Sequence, residues 1–345
     1  MASVQVVMPC YNYGRYLYQA AQSVLTQSGV DVRLLIIDDQ SSDNTPEVCQ
    51  QLAMEDARVD YIRHKVNKGH IATYNEGIGL ATADYFVLLS ADDLLTPGSL
   101  ARAAALMDNN PSVGLAYGYV IPWRGGALPP ARSDDKGWTI WKGRDWIERM
   151  CRTGRNFIVN PEAVLRTSVQ HEVGGYKPSL PHSGDMELWI RAAAVSDVGH
   201  VNGAEQAYYR IHDTSMQRTV HAGFLFDLKA RREAFLAAFE SHAGALPDAS
   251  SLLATSERAL AMTAVRHACR TLASRRDDRD PAEPYREFAL SLWPDVVKTR
   301  MWSRLERYGS AERGSLSAVI ARGHARLMDV EDRYAWRKWW RTGVY

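Results

Sequence analysis

Tyr85-Phe86-Val87-Leu88-Leu89-Ser90-Ala91-Asp92-Asp93-Leu94-Leu95-Thr96-Pro97 is the stretch on which the fold assignment turns. Its five leading apolar or aromatic residues, bounded by polar ones, predict a short buried strand. Ser90-Ala91-Asp92-Asp93 closes that strand, and Thr96 followed by Pro97 predicts the cap and first position of a helix. Carboxylates at the C-terminal end of a buried strand lie where open α/β sheets place their ligands. Hard oxygen ligands of this kind suit Mg²⁺ or Mn²⁺, ions that share their shell with substrate phosphates. A solvated turn that carries two Asp reads the same in isolation. The flanking sequence has to decide.

Upstream, Val4–Met8 predicts a first strand closed by Pro9, and Cys10–Gly14 a turn. A helix from about Tyr16 to Gln27 keeps Leu17, Ala20, Ala21, Val24 and Leu25 on one face. Val32–Ile37 is a near-continuous apolar run of the kind found inside parallel sheets. It ends in Asp38-Asp39-Gln40-Ser41-Ser42-Asp43, with Thr45 expected to cap the next helix and Pro46 to fill its first position. Val59–Ile62 predicts a third strand, and Asn67-Lys68-Gly69 a turn into a helix reaching about Leu80. Strand and helix alternating over this length predict a parallel, doubly wound sheet. Carboxylates at the ends of its second and fourth strands then share one rim, which suggests a binding crevice. The glycine fingerprint of dinucleotide binders and the Gly-Lys-Ser/Thr phosphate cradle are both missing, so a dehydrogenase or an ordinary nucleotide hydrolase is not expected.

The chain has 345 residues, enough for two domains or one core with an appendage, and 46% of them are hydrophobic. A net charge of +1 argues for no nucleic-acid partner. No apolar run approaches the ~18 residues that cross a bilayer. The N-terminus enters a strand pattern without the basic segment and apolar core of a signal peptide. Cys10, Cys49, Cys151 and Cys269 show no paired spacing, which suits a reducing compartment and no zinc site. A cytoplasmic protein is the expectation.

Downstream, Ile121–Gly137, rich in Pro and Gly, predicts a long loop. Trp138, Trp141 and Trp146 could line a sugar pocket or pack in the core, with packing favoured. His182–Arg191 opens a helix that carries Asp185 in its first turn, where the dipole favours a carboxylate. Tyr208–His212 reads as an edge strand running into Asp213-Thr214-Ser215.

Taken together, Val4 to about Gln217 resembles the inverting glycosyltransferases of family 2, with the GT-A fold. The pieces that carry the resemblance occur in the family's order. They are Met8–Asn12, Ile36–Asp43, Asn67-Lys68-Gly69 with Asn75-Glu76-Gly77, Leu88–Asp93, Gly184-Asp185 with Leu188–Arg191, and Tyr209–His212. The resemblance implies a Rossmann-like α/β fold, a mostly parallel twisted sheet flanked by helices. It also implies that Pro9 and Tyr11 flank the base of a nucleotide-sugar, with Tyr11 as a stacking surface. Asp39 would accept a hydrogen bond from the base, favouring a UDP, TDP or GDP donor. Asn67, Lys68 and Gly69 would sit near the nucleotide and diphosphate, with Asn75, Ala91 and Asp93 in the same donor site. Asp92 takes the last position of the family's Asp-X-Asp metal motif, and His212 the downstream position that completes the shell of a Mg²⁺ or Mn²⁺ ion. Asp185 matches the general base. Two departures stand out: Ser90 replaces the first Asp of the metal motif, and Tyr74 stands where the family often has Arg.

The expected organisation is a catalytic domain over 1–219 and a helical region over 220–345, covering the acceptor side, building a homodimer, or both. Helices are predicted at Phe224–Phe239, Leu252–Leu272 and Tyr285–Leu292. In the tail, Trp336, Trp339 and Trp340 share a helical face, with Arg333, Arg337 and Arg341 at a four-residue step. That pattern suits peripheral membrane contact, or an aromatic face docked on the protein's own core, the favoured reading. The implied reaction is transfer of one sugar to a small-molecule or glycan acceptor. Its rivals are a sugar nucleotidyltransferase, which would need a glycine-rich basic N-terminal loop absent here, and a non-catalytic nucleotide or carbohydrate binder.

Overall fold

The hub of the sheet is the apolar run expected as the first strand, β1 (Ser3–Cys10). In the computed structural model, which describes residues 1–134, 136–212, 223–274, 281–310 and 316–345, it pairs in parallel with both β2 (Asp31–Asp38) and β4 (Tyr85–Leu88). The order of elements is β1, α1 (Gly14–Leu25), β2, α2 (Thr45–Glu55), β3 (Val59–Arg63), α3 (His70–Gly79), β4, β5 (Leu94–Leu95) and α4 (Ser99–Asn109). There follow β6 (Val113–Trp123), β7 (Trp138–Trp141), α5 (Gly143–Thr153), β8 (Val164–Arg166), α6 (Thr167–Val173), α7 (Gly184–Val195) and β9 (Asp197–Arg210). The sheet runs β3-β2-β1-β4-β8-β6-β9-β5, with β7 also on β9. β3, β2, β1 and β4 are mutually parallel, and β8 enters antiparallel between β4 and β6.

Because strand residues alternate between faces, Val4, Val6, Met8 and Cys10 pack with Leu17, Ala20, Ala21 and Val24 of α1. Val7 points the other way, into a cluster with Ile78 of α3, Leu115 and Tyr117 of β6, and Trp189 of α7. That second cluster extends into the C-terminal helices α8 (Phe224–Phe239), α9 (Ala249–Ser274), α10 (Glu283–Leu292), α11 (Arg300–Gly309) and α12 (Leu316–Thr342). The helical region thus shares a core with the sheet. The expected boundary at 219/220, like Asp213-Thr214-Ser215, lies outside the described residues.

Four local expectations are corrected. Thr96 does not cap a helix: Leu94 and Leu95 pair with β9, Thr96 Oγ1 donates to the Glu205 carbonyl at 2.6 Å, and α4 begins at Ser99. Thr45 is capped rather than capping, because the Asp43 carboxylate receives its N–H at 3.0 Å. Tyr208–Arg210 is no edge strand, since β9 is bordered by β6 on one side and, at Ala207 and Tyr208, by β5 on the other. Its polar residues face a site rather than open solvent. The long loop starts after Trp123, because Ile121 and Pro122 extend β6 against Tyr208 and Tyr209.

Trp146 is fully buried and donates its Nε1–H to Tyr117 Oη at 3.2 Å, while Trp138 and Trp141 are the two ends of β7. The tail docks on the protein itself. Trp339 is buried and donates to the Phe157 carbonyl at 2.9 Å, and Trp340 stacks on Tyr119 at 6.2 Å. Tyr117 Oη donates to the Gly343 carbonyl at 2.7 Å. Gly343 sits at φ 73°, and a Cβ there would lie 2.3 Å from the His200 ring, so no other residue closes this contact. Among the described residues, no helix is long and apolar enough to cross a membrane. All four cysteines are buried and unbridged.

Candidate active site

The C-terminal ends of β1, β2 and β4 open into one cavity of about 910 Å³. Pro9, Tyr11, Asp39, Asn67, Gly69, Ala91, Asp92, Asp93 and Asp185 all line it. Residues 9 to 185 in the chain therefore meet at a single rim.

At one end the turns after β1 and β2 interlock. Asn12 adopts φ 58° and its Oδ1 accepts the Ser42 N–H at 2.8 Å, while Ser41 Oγ accepts the Asn12 N–H at 2.9 Å. Asp38 is consumed by the Ser41 N–H at 2.8 Å and the Arg63 guanidinium at 3.2 Å, so of this adjacent pair it is Asp39 that faces the cavity. The Asp39 carboxylate accepts the backbone N–H of Lys68 at 2.7 Å and of Gly69 at 2.8 Å, and pairs with His64 Nδ1 at 2.7 Å. Burial alone would raise its pKa, but the His64 and backbone hydrogen bonds outweigh burial and hold it below the ordinary value. A carboxylate so fixed is an acceptor of set orientation. Gly69, at φ 83°, lets the chain turn its N–H onto that carboxylate. Asn67 Nδ2 donates to the Asp39 carbonyl at 3.0 Å, and Tyr11, half exposed, stands at the lip. The Lys68 side chain turns away to Glu76 at 2.7 Å, so its contribution here is its backbone. His64, missed in the sequence, also reaches Glu76 at 3.1 Å; its place one residue past β3, on the rim that carries the carboxylates, was the available signal.

At the end of β4, Asp92 Oδ2 lies 2.8 Å from His212 Nε2. Asp93 Oδ1 accepts the Arg210 N–H at 2.8 Å, and Arg210 Nε donates to the Asp92 carbonyl at 2.7 Å. Burial, followed by the neighbouring Asp92 charge, pushes the Asp93 pKa well above the ordinary range. Among the described residues no three His, Cys, Asp or Glu side chains form a complete metal cage. The Asp92–His212 pair supplies an oxygen and a nitrogen of the kinds that could serve as two ligands of a divalent ion.

At the third side, Asp185 sits in the first turn of α7, and Tyr176 Oη donates to its Oδ1 at 2.8 Å. Burial raises its pKa to about 6, against the opposing hydrogen bond from Tyr176. Tyr176 is held in turn. Asn75 Nδ2 donates to its carbonyl at 2.9 Å and Asn75 Oδ1 accepts its N–H at 2.7 Å. Asn75 is thus occupied beneath the wall and does not line the cavity, whereas Tyr74 does and meets the Tyr176 ring edge-on at 5.3 Å. The buried Arg191–Glu187 pair at 2.7 Å braces the same loop, since Arg191 Nη2 also donates to the Gly175 carbonyl at 2.7 Å. Cys10 lines the cavity, but burial pushes its thiol up to about 12, which removes it as a nucleophile.

Residues 5–167 match the family model described as glycosyl transferase family 2. Among named relatives, glycosyltransferase GlyG of Streptococcus pneumoniae is 36% identical over 93 residues, 27% of this chain and 31% of that protein. An uncharacterized glycosyltransferase of Methanocaldococcus jannaschii is 25% identical over 195 residues, 55% of this chain and 64% of that protein. The chain therefore spans between about a third and two thirds of these relatives. In fold it is similar to S. aureus TarS 1–349, solved in complex with UDP-GlcNAc: TM-score 0.61, 14% identity, 96% of this chain and 92% of that one. It is also similar to the mannosyltransferase PcManGT from Pyrobaculum calidifontis, solved with GDP-Man and Mn²⁺: TM-score 0.57, 15% identity, 99% and 83% of the two chains. The segment 5–167 of this chain belongs to glycosyl transferase family 2, carried on a GT-A fold.

Proposed function

We propose that this chain is an inverting glycosyltransferase that moves one sugar from a nucleoside-diphosphate sugar to an acceptor hydroxyl, with Asp185 as general base. The observation that carries the reading is Asp185 itself. Its pKa of about 6 and its hydrogen bond from Tyr176 give one carboxylate a proton affinity suited to taking a proton near neutral pH, in the cavity that also holds Asp39 and Asp92. A module that only binds has no use for such a group.

At the nucleotide end, Tyr11 offers a face for the base, and Asp39 offers its fixed carboxylate to a ring N–H of uracil, thymine or guanine. Asp92 and His212 would hold Mg²⁺ or Mn²⁺. When bound, that ion supplies positive charge to the diphosphate leaving group. Asp185 orients the acceptor hydroxyl and takes its proton as the oxygen attacks the anomeric carbon opposite the diphosphate, so a single displacement inverts that carbon. The Asp185 proton affinity rises with burial, while Tyr176 keeps one carboxylate oxygen committed and leaves the other to the acceptor. Fold neighbours solved with UDP-GlcNAc, and with GDP-Man and Mn²⁺, support a nucleotide-sugar donor and a divalent ion as the ligands. The test is Asp185→Asn, assayed for transfer or donor hydrolysis with UDP-glucose, UDP-N-acetylglucosamine and GDP-mannose. Turnover should fall about 10² to 10⁴-fold with nucleoside-diphosphate binding retained; an Asp185→Asn protein of full activity refutes the assignment.

A further inference from the structure

Between α5 and β8 the chain turns through Val159-Asn160-Pro161-Glu162, and Asn160 there adopts φ 121°. A non-glycine residue is strained at that angle, and strain of this kind gathers at functional sites. Glycine would take the angle without strain, so what the asparagine adds is its side chain. The turn is held from beneath. The buried Glu162 carboxylate accepts the N–H of Val159 at 2.7 Å and of Asn160 at 3.1 Å, and the Asn160 carbonyl accepts the Ala163 N–H at 2.9 Å.

Asn160 lines the cavity, and its Oδ1 is buried with no hydrogen-bond partner among the described residues. Of the residues with such an unmet buried atom among the described residues, Asn160 is the one that lines this cavity, so its partner can come from a bound molecule. Asn160 shares the cavity lining with Asp92 and Asp93 at the proposed diphosphate end and with Asp185, the proposed base. In a displacement with inversion, the group between the diphosphate end and the base is the sugar being transferred.

We propose that the Asn160 carboxamide hydrogen-bonds a hydroxyl of the transferred sugar and thereby selects which sugar the donor carries; this rests on the glycosyltransferase reading above. A carboxamide offers an acceptor oxygen and two N–H donors, and a sugar hydroxyl both gives and takes a hydrogen bond. A site built to pair a substrate hydroxyl discriminates strongly against a sugar that lacks or misplaces it.

The experiment titrates UDP, TDP, GDP, UDP-glucose, UDP-N-acetylglucosamine, TDP-glucose and GDP-mannose, each with Mn²⁺, into wild type and Asn160→Gly, a substitution that accepts the backbone angle. Removal of the carboxamide should weaken the bound sugar nucleotide about 3- to 10-fold and leave the matching bare diphosphate within about 2-fold. Should Asn160→Gly melt too low to titrate, Asn160→Ala gives the same readout, because it too removes the whole carboxamide and adds no charge to the diphosphate cavity. Equal weakening of diphosphate and sugar nucleotide, or no weakening of either, overturns the assignment while the donor site stands. A wild type that binds none of these probes overturns the donor site, and this assignment with it.

Discussion

Tyr176→Phe removes one hydroxyl and tests how the base is tuned. The phenol donates to Asp185 Oδ1 at 2.8 Å and opposes the burial that raises the Asp185 pKa to about 6. A hydrogen bond to a charged group is worth about 1.5–3 kcal/mol, and about 1.4 kcal/mol corresponds to one pKa unit. Loss of the hydroxyl should therefore raise the Asp185 pKa by about one to two units. The base works deprotonated, so the acidic limb of kcat/KM against pH should move upward by that amount. At pH 6 the variant should be roughly 10-fold slower than wild type, and by pH 9 the two should nearly converge. The ring itself stays in place, because Asn75 fixes the Tyr176 backbone independently of the hydroxyl. The assay is kcat/KM for donor turnover from pH 5 to 9. A loss by the same factor at every pH would mean that Tyr176 merely fills space, and the tuning argument would fail.

Asp185→Asn should also change stability with pH. The Asp185 carboxyl has a folded pKa of about 6, above its ordinary value of 3.8, so the native state binds the extra proton between those values. The contribution of Asp185 is fully present below the lower pKa and lost as pH rises through the upper one. Relative to wild type, Asp185→Asn should gain stability from pH 4 to about 7, by at most about 3 kcal/mol, in chemical denaturation. Asp92→Ala and His212→Ala should each abolish most of the extra thermal stabilisation that Mn²⁺ adds to UDP or GDP, with the metal-free shift retained; an unchanged Mn²⁺ increment in both would remove the metal assignment. Trp339→Ala should destabilise by about 3–5 kcal/mol, whereas Trp336→Ala, at a half-exposed position, should cost under about 1 kcal/mol. Equal melting losses would contradict the docked tail.

The parallel half of the sheet was legible because β1, β2 and β4 are largely buried on both faces and so read as apolar runs, the latter two closed by carboxylates. What escaped were contacts whose meaning lies in a distant partner. Leu94 and Leu95 look like the lead-in to a helix until β9, more than a hundred residues on, turns them into a strand. Arg210 and His212 suggested a solvent edge because their polarity serves Asp92 and Asp93, which local pattern cannot display. Asn75 carries the spelling of a donor-site motif, but the structure spends both ends of its amide on the Tyr176 backbone. His64 and Tyr176, which orient Asp39 and Asp185, carry no signature because a supporting residue is defined by what it touches. Asn160 was silent for a related reason: a strained φ and an unmet acceptor are properties of coordinates.

The docked tail also bears on the order in which the protein can mature during synthesis. Tyr117 waits for the Gly343 carbonyl 226 positions later, and Phe157 waits for Trp339 182 positions later. At a translation rate of about 5–20 residues/s, the first delay lasts roughly 10 to 45 s. Once β9 has been made and paired with β6, the aromatic surface around His200 stays uncovered until the tail arrives. A nascent chain stalled just short of Trp339 would expose Tyr117, Tyr119 and Phe157 together. That is the kind of sticky intermediate that chaperones recognise, and it persists until Trp339 and Gly343 reach their partners.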